Sequence, residues 1–249
     1  MSQTGEQTDN HKAETFLIPS NLWGDDVLVE EGLVERNLLE IRSNIAPCKP
    51  RIIGVTKYFG LNAILSGYKA GLRDFGESRV LDAVKKIESL PTDVRESVKF
   101  HFIGHLQTNK ADLAVKYFDY IHSVDSLKLA EVISNAACRL NKREKVLLQV
   151  NIAKEEQKFG YTKEELCNDF QRILNLSALE VVGLMCMAPF GAQERELREL
   201  FGELRVIRNE LQDTHGVCLP ELSMGMSDDF HIAVEEGATM IRIGRKLFK

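Results

Sequence analysis

The chain has 249 residues, 44% of them hydrophobic, enough to bury the core of one large α/β domain or two small ones; a single domain is the expectation. Its 37 acidic and 32 basic side chains leave a formal net charge of −5, which argues against general affinity for nucleic acid or an anionic membrane and toward a small-molecule partner. Cys48, Cys138, Cys167, Cys186 and Cys218 are odd in number and contain no Cys-x-x-Cys pair, so a disulfide framework or structural zinc site is disfavoured and a reducing, cytoplasmic compartment fits.

No apolar run approaches the roughly 18 residues needed to span a bilayer. Residues 1–25 are polar, carry Glu6, Asp9 and Glu14, and read as a loose amino-terminal tail without a signal sequence. The folded domain is expected over 26–249. It opens with DDVLVEEGLVERNLLEIRSNI, where Val34, Leu38, Ile41 and Ile45 recur at intervals of four, three and four and lay one apolar stripe on a helix.

Short apolar runs then alternate with amphipathic segments. The runs are RIIGVT (51–56), RDFG (73–76), VKFHFIG (98–104), YIHSVD (120–125), KVLLQVN (145–151), VVGLMCMA (181–188), ELSMGM (221–226) and MIRIG (240–244). Between them lie helical patterns such as LNAILSGYKAGL, SRVLDAVKKIESL, SLKLAEVISNAACRL and ERELRELFGELRVIRNEL. Strand, helix, strand in succession forces parallel pairing, and eight such units in this length predict a single-domain (β/α)₈ TIM-type barrel with an extra amino-terminal helix. An open doubly wound sheet is the alternative, since periodicity alone does not close a barrel.

In a barrel the chemistry gathers at the carboxyl ends of the strands. In chain order those ends offer Lys57, then Glu77 and Ser78, then His105 and Asn109, then Ser123 and Asp125. Asn151, Met187, the pair Ser223 and Gly225, and the trio Arg242, Gly244 and Arg245 complete the set. Lys57, at the end of IIGVTKYFG, is either a solvated rim charge or an amine held in a dry pocket, where it can attack a carbonyl. The adjacent Tyr58 is expected to point the other way by strand alternation.

LSMGMSDDF places Ser227, Asp228 and Asp229 where short polar side chains cap a helix, and RIGRKLF offers Gly244 for close backbone approach and Arg245 as a fork of donors. Loops seven and eight are where such barrels commonly hold a phosphate. An amine that forms Schiff bases opposite a phosphate cradle is the wiring of a pyridoxal phosphate site, provided that Asp228 and Asp229 face away from the anion.

IIGVTKYFG, AGLRDFGES (70–78), FHFIGHLQTNK (100–110), HSVDSLKLA (122–130), LLQVNIAKEEQKFG (147–160), VVGLMCMAP (181–189), LSMGMSDDFHIAVEEGAT (222–239) and IRIGRKLF (241–248) resemble the pyridoxal phosphate homeostasis protein family, also called the proline synthase co-transcribed family. The similarity is collinear from about Asp26 to Phe248. It implies a barrel like the amino-terminal domain of alanine racemases, pyridoxal 5'-phosphate held as a Schiff base on Lys57, and a phosphate held around Ser223, Gly225, Gly244 and Arg245. It also implies an arginine at Arg242 on the ring-nitrogen or phosphate side, keeping the ring a weak electron sink. With the strand-end residues Asn151 and Met187, these form the expected cofactor-binding set; no catalytic or metal-ligating residue is assigned.

The chain departs from the family pattern at Ser78-Arg79, where Asn-Tyr is usual, at Gly60, where proline is usual, and after Phe248. His101, His105 and His122 are expected to be satisfied structural histidines, Met185 to Met187 core filler with one residue facing the cofactor, and ERELRELFGELRVIRNE a solvated face held by four-residue charge pairs. The resulting reading is a monomeric cofactor carrier for vitamin B6 homeostasis, serving pyridoxal phosphate-dependent apoenzymes without strong turnover. Two alternatives stand beside it: a racemase- or decarboxylase-type enzyme, which needs a second acid or base that the barrel alone lacks, and a Schiff-base aldolase without cofactor.

Overall fold

The structure, a computed structural model, describes residues 29–30, 32–153, 155 and 159–249. The tail expected over 1–25 lies outside the described residues. The order of elements is α1 (Leu33–Asn44), β1 (Arg51–Val55), α2 (Leu61–Lys69), β2 (Asp74–Glu77), α3 (Val80–Glu88), α4 (Thr92–Ser97), β3 (Lys99–Phe102), a 3₁₀ turn (Thr108–Lys110), α5 (Ala111–Tyr117), β4 (Tyr120–Val124) and α6 (Leu127–Arg139). It continues with β5 (Glu144–Gln149), α7 (Lys163–Leu174), β6 (Leu179–Met185), α8 (Glu194–His215), β7 (Glu221–Ser223), α9 (Phe230–Glu235), β8 (Met240–Ile243) and α10 (Arg245–Phe248). The strands pair in parallel in sequence order, and β8 returns to β1, closing the barrel. The open-sheet alternative is thereby removed.

Alternation along the strands separates two cores. Ile53, Tyr120, Leu147, Val182, Met185 and Met240 face the axis, whereas neighbours such as Ile52, Ile121, Val146, Leu148 and Ile241 pack under the helices. Amphipathic spacing seats the helices on this outer layer. In α8, Leu197, Leu200, Phe201, Leu204, Ile207 and Leu211 are buried, while Arg195–Glu199 and Arg198–Glu194 pair along the wet side. That helix is a solvated face on one side and a core element on the other. At α7, Thr162 and Glu165 form a reciprocal capping box that the sequence reading did not single out.

The amino-terminal helix and the chain end clasp each other beside the closure. Val34, Leu38 and Ile41 bury the expected stripe of α1, Asn37 donates to the Leu247 carbonyl at 3.2 Å, and Lys246 pairs with Glu40 at 3.0 Å. Phe248 packs against Phe59 with ring centroids 5.2 Å apart. No helix among the described residues is long and apolar enough to cross a membrane.

A buried polar knot fixes the carboxyl end of β1. Glu77 Oε1 accepts from Thr56 Oγ1 at 2.7 Å and from Lys86 Nζ at 2.8 Å, and Lys86 also donates to the Thr56 carbonyl at 2.7 Å. Burial pushes the Glu77 carboxyl above its ordinary range, against the opposing pull of Lys86 and its hydrogen bonds. The knot lies between the sheet and α3 and holds the residue immediately before Lys57. Replacing Lys86 with Met strands a buried carboxyl, and chemical denaturation should report a loss of about 3–5 kcal/mol. Adding Glu77→Leu should restore a large part of that loss; a double variant as unstable as the single one would show that the pair is not what is being measured.

Candidate functional site

The mouth at the carboxyl ends of the strands gathers most of the residues singled out from sequence. Lys57 stands there on a turn, since β1 ends at Val55 and Phe59 N–H closes back onto the Thr56 carbonyl at 3.0 Å. The amine is exposed at the open mouth; it is not enclosed in the dry pocket that its apolar run suggested. Tyr58 departs from expectation as well. Strand alternation stops two residues earlier, so the Lys57 ammonium lies over the Tyr58 ring, 5.0 Å from its centroid. Gly60 precedes α2 with φ −77°, a value that a proline ring also adopts, so this departure from the family pattern leaves the backbone shape intact. At Ser78 the loop presses on the next one: a Cβ on Gly104 would meet the Ser78 carbonyl at 2.4 Å.

Across the mouth, Arg242 and Ser223 form a buried pair. Arg242 is 4% exposed and Ser223 fully buried; one guanidinium nitrogen donates to Ser223 Oγ at 2.7 Å and another to the Cys186 carbonyl at 2.8 Å. Burial pulls the Arg242 guanidinium below its ordinary range, with partial compensation from Cys186 and Asp229. The buried Cys186 thiol is pushed up to about 12 by desolvation, which makes it a poor nucleophile. Ser223, expected against the phosphate, therefore turns into the barrel and supports Arg242. The second serine of this loop, Ser227, read from sequence only as a capping residue, is half-buried. Its Oγ accepts from Lys246 N at 3.4 Å and joins the loop after β7 to the start of α10.

Gly225 has φ +88°, and a Cβ there would stand 2.6 Å from that of Ala233, so the turn requires glycine. Gly244 differs. Its φ of −109° is not left-handed, and a Cβ would meet Val55 at an ordinary 3.5 Å. The expected caps also rearrange: Asp229 makes no capping bond to α9, and its carboxylate turns back to accept from Met226 N. Asp228 is exposed and paired with Arg245 at 2.9 Å. The Arg245 fork is thus committed to the rim, at the start of α10.

Asn151 lies two residues past β5, its side-chain amide donating to the Glu155 carbonyl at 2.9 Å. Gln149, missed in the sequence reading, is buried at the end of the same strand and donates to the Phe159 carbonyl at 2.7 Å. Met185 fills the inner core, Cys186 the outer one, and Met187 emerges at the mouth, as the alternating pattern predicted. His105 stacks on Phe159 with centroids 3.6 Å apart and lies 3.2 Å from Asp125, while His101 and His122 are buried and hydrogen-bonded through both ring nitrogens. No group of three or more His, Cys, Asp or Glu among the described residues is arranged to hold a metal ion. A cleft of about 590 Å³ opens at the opposite, amino-terminal end of the barrel, lined by Arg42, Cys48, Lys49, Arg51, Arg73 and Asp74 among others.

Residues 30–249 match the family model of the alanine racemase N-terminal domain. The pyridoxal phosphate homeostasis protein of Synechocystis sp. is 42% identical over 202 residues, spanning 81% of this chain and 92% of that one. Among solved structures, PipY of Synechococcus elongatus with PLP bound superposes with a TM-score of 0.79 at 38% identity, covering 87% of this chain and all of PipY. An alanine racemase of Clostridium difficile shares the fold, with a TM-score of 0.74 at 14% identity and 57% of its length covered. A family-model match over residues 30–249 and a 42% identical relative covered over 92% of its length lead to one conclusion: the chain belongs to the pyridoxal phosphate homeostasis protein family, on the alanine racemase N-terminal domain fold.

Proposed function

We propose that this chain binds pyridoxal 5'-phosphate at the mouth of the barrel and serves in its homeostasis as a carrier, without turning over amino acids at an enzymatic rate. The observation that carries the reading is the juxtaposition of one exposed amine, Lys57, with the glycine loops after β7 and β8, in a chain 38% identical to a PLP-bound relative. The residues fit the group. Gly244 is demanded neither by packing nor by a left-handed backbone, and close approach of an anion to the backbone fits a glycine there. Gly225, Ser227, Gly244 and the backbone of Arg245 would hold the phosphate, Lys57 the aldehyde end, and Arg242 the ring side.

Pyridoxal phosphate supplies an aldehyde that condenses with a primary amine, losing water, and a conjugated ring that accepts electrons. Arg242 is donor-only and cationic, so a ring nitrogen held beside it would stay unprotonated and the ring would attract electrons weakly. Lys57, open to solvent, suits loading and hand-over to apoenzymes. The four exposed free thiols, Cys48, Cys138, Cys167 and Cys218, fit a reducing cytoplasm. Tyr58, within reach of the Lys57 amine, is the feature that favours the enzymatic alternative.

Borohydride reduction of the loaded protein should leave a covalent adduct of pyridoxal phosphate mass on wild type and none on Lys57→Ala, read by intact mass. An adduct persisting in the alanine variant would move the aldehyde end elsewhere. Ser227→Ala should weaken pyridoxal phosphate binding by about 0.5–3 kcal/mol, the range for one lost hydrogen bond with a charged partner at the upper end. Pyridoxal without phosphate should be indifferent to the change; equal losses for both ligands would remove Ser227 from the cradle. Incubation with L-alanine in deuterated water should show α-proton exchange over hours. Turnover of several per second, within the usual enzymatic range of roughly 1–10³ per second, would overturn the carrier reading through Tyr58 or another base.

A further inference from the structure

A chain of four hydrogen bonds, three buried and the last half-buried at Asp74, crosses the barrel interior from Arg242 to the opposite end. Arg242 donates to Ser223 Oγ at 2.7 Å, Ser223 Oγ lies 2.9 Å from His122 Nδ1, His122 Nε2 lies 2.9 Å from His101 Nδ1, and His101 Nε2 lies 2.9 Å from Asp74 Oδ1. The chain passes through β8, β7, β4, β3 and β2 in turn. Its two ends are chemically fixed, because a guanidinium only donates and an ionised carboxylate only accepts.

With both imidazoles neutral, these ends dictate every proton between them. His101 must carry its hydrogen on Nε2 to serve Asp74, which leaves Nδ1 to accept from His122 Nε2–H. His122 Nδ1 is then an acceptor and takes the Ser223 hydroxyl proton, which leaves the serine oxygen's lone pairs to Arg242. Each donor is used once and each bond points the same way. Desolvation holds both histidines below their ordinary range, which favours the neutral forms. The surroundings reinforce this. Tyr120 stacks on His101 at 4.6 Å between centroids, Arg51 and Arg242 present positive charge, Glu221 is paired with Arg51, and Lys99 and Asp119 pair with each other beside β3. Lys145 is occupied over the Tyr120 ring.

The structure assigns Asp74, His101 and His122 as positioning residues for Arg242: a one-directional hydrogen-bond chain whose polarity is set by a carboxylate on the far face of the barrel. Asp74 lines the amino-terminal cleft, so the arginine at the cofactor mouth is coupled to the charge state of a group that no ligand at that mouth can touch. This rests on the reading above, in which the cofactor ring lies beside Arg242.

The test compares wild type with Asp74→Leu, which removes the terminal acceptor, and Asp74→Asn, whose amide oxygen still accepts. Imidazole ¹⁵N spectra of the unloaded protein should show both histidines neutral with hydrogen on Nε2 in wild type and Asp74→Asn. In Asp74→Leu both should become tautomer mixtures. Pyridoxal phosphate, followed by its visible absorbance, should bind Asp74→Leu about tenfold or more weakly, the size of effect that outer partners of a bound group typically carry, and the asparagine variant should be rescued. If the leucine variant does not fold, Asp74→Val makes the same comparison. Identical His122 tautomers in all variants overturn the chain, as does unchanged affinity in a variant whose tautomers are scrambled. If wild type itself binds no pyridoxal phosphate, the function proposed above fails, while the spectra still decide the polarity of the chain.

Discussion

Everything at the mouth depends on the backbone hydrogen bonds that close β8 onto β1. Their register pairs Ile53 with Arg242 and Gly54 with Ile243. It therefore brings the turn bearing Lys57 beside the strand bearing Arg242 and Gly244, from opposite ends of the sequence. A slip of one residue would turn Arg242 toward the helices and Ile243 toward the axis, because side chains alternate along a strand. The closure is guarded from outside by small residues and aromatic packing. A Cβ on Gly54 would meet Phe248 and Leu247 at 3.2 and 3.4 Å, so the last helix sits directly on the strand that ends in the lysine.

The interior of the barrel is divided along its axis. Its middle is apolar, with Ile53, Leu147, Val182, Met185 and Met240, yet one side carries charged and hydrogen-bonding groups from end to end. Such groups persist in a low-dielectric core only when each has a partner, since an unpaired one costs its full desolvation. Arg51 shows the same rule at the amino end, where it pairs with Glu221 at 3.4 Å and Asp74 at 3.8 Å and lies over the Tyr120 ring. The polar side of the barrel is thus a continuous network from one rim to the other, and its upper end is the buried Arg242 at the carboxyl-end mouth.

Around this frame the mouth combines rigid and open parts. Arg242 and Ser223 are locked by buried bonds, and Thr56 is held by the Glu77–Lys86 pair, while Lys57, one residue further, is exposed. A fixed base with an exposed amine is the arrangement that the carrier role proposed above calls for, since loading and release would both proceed from solvent. An enzyme of the racemase type instead excludes water and places acids and bases on both faces of the ring.

The sequence by itself determined the eight alternating units, the parallel sheet they force, the amino-terminal helix with its Val34, Leu38 and Ile41 stripe, and the lysine and glycine loops at strand ends, because periodicity and strand-end position are local properties. The motifs added the family. The tertiary structure alone decided what those side chains touch. LSMGMSDDF cannot show that Ser223 points inward to Arg242 while Ser227 reaches across to α10, nor that Asp229 bonds backward and makes no capping bond to its helix. Lys86 reads as one more charge on an amphipathic helix until α3 places it against Glu77, and Asp74, His101 and His122 lie in three separate strands until closure aligns them. Hydrogen-bond partners of this kind are set by register and by the burial that makes them obligatory, and both exist only once the barrel has closed.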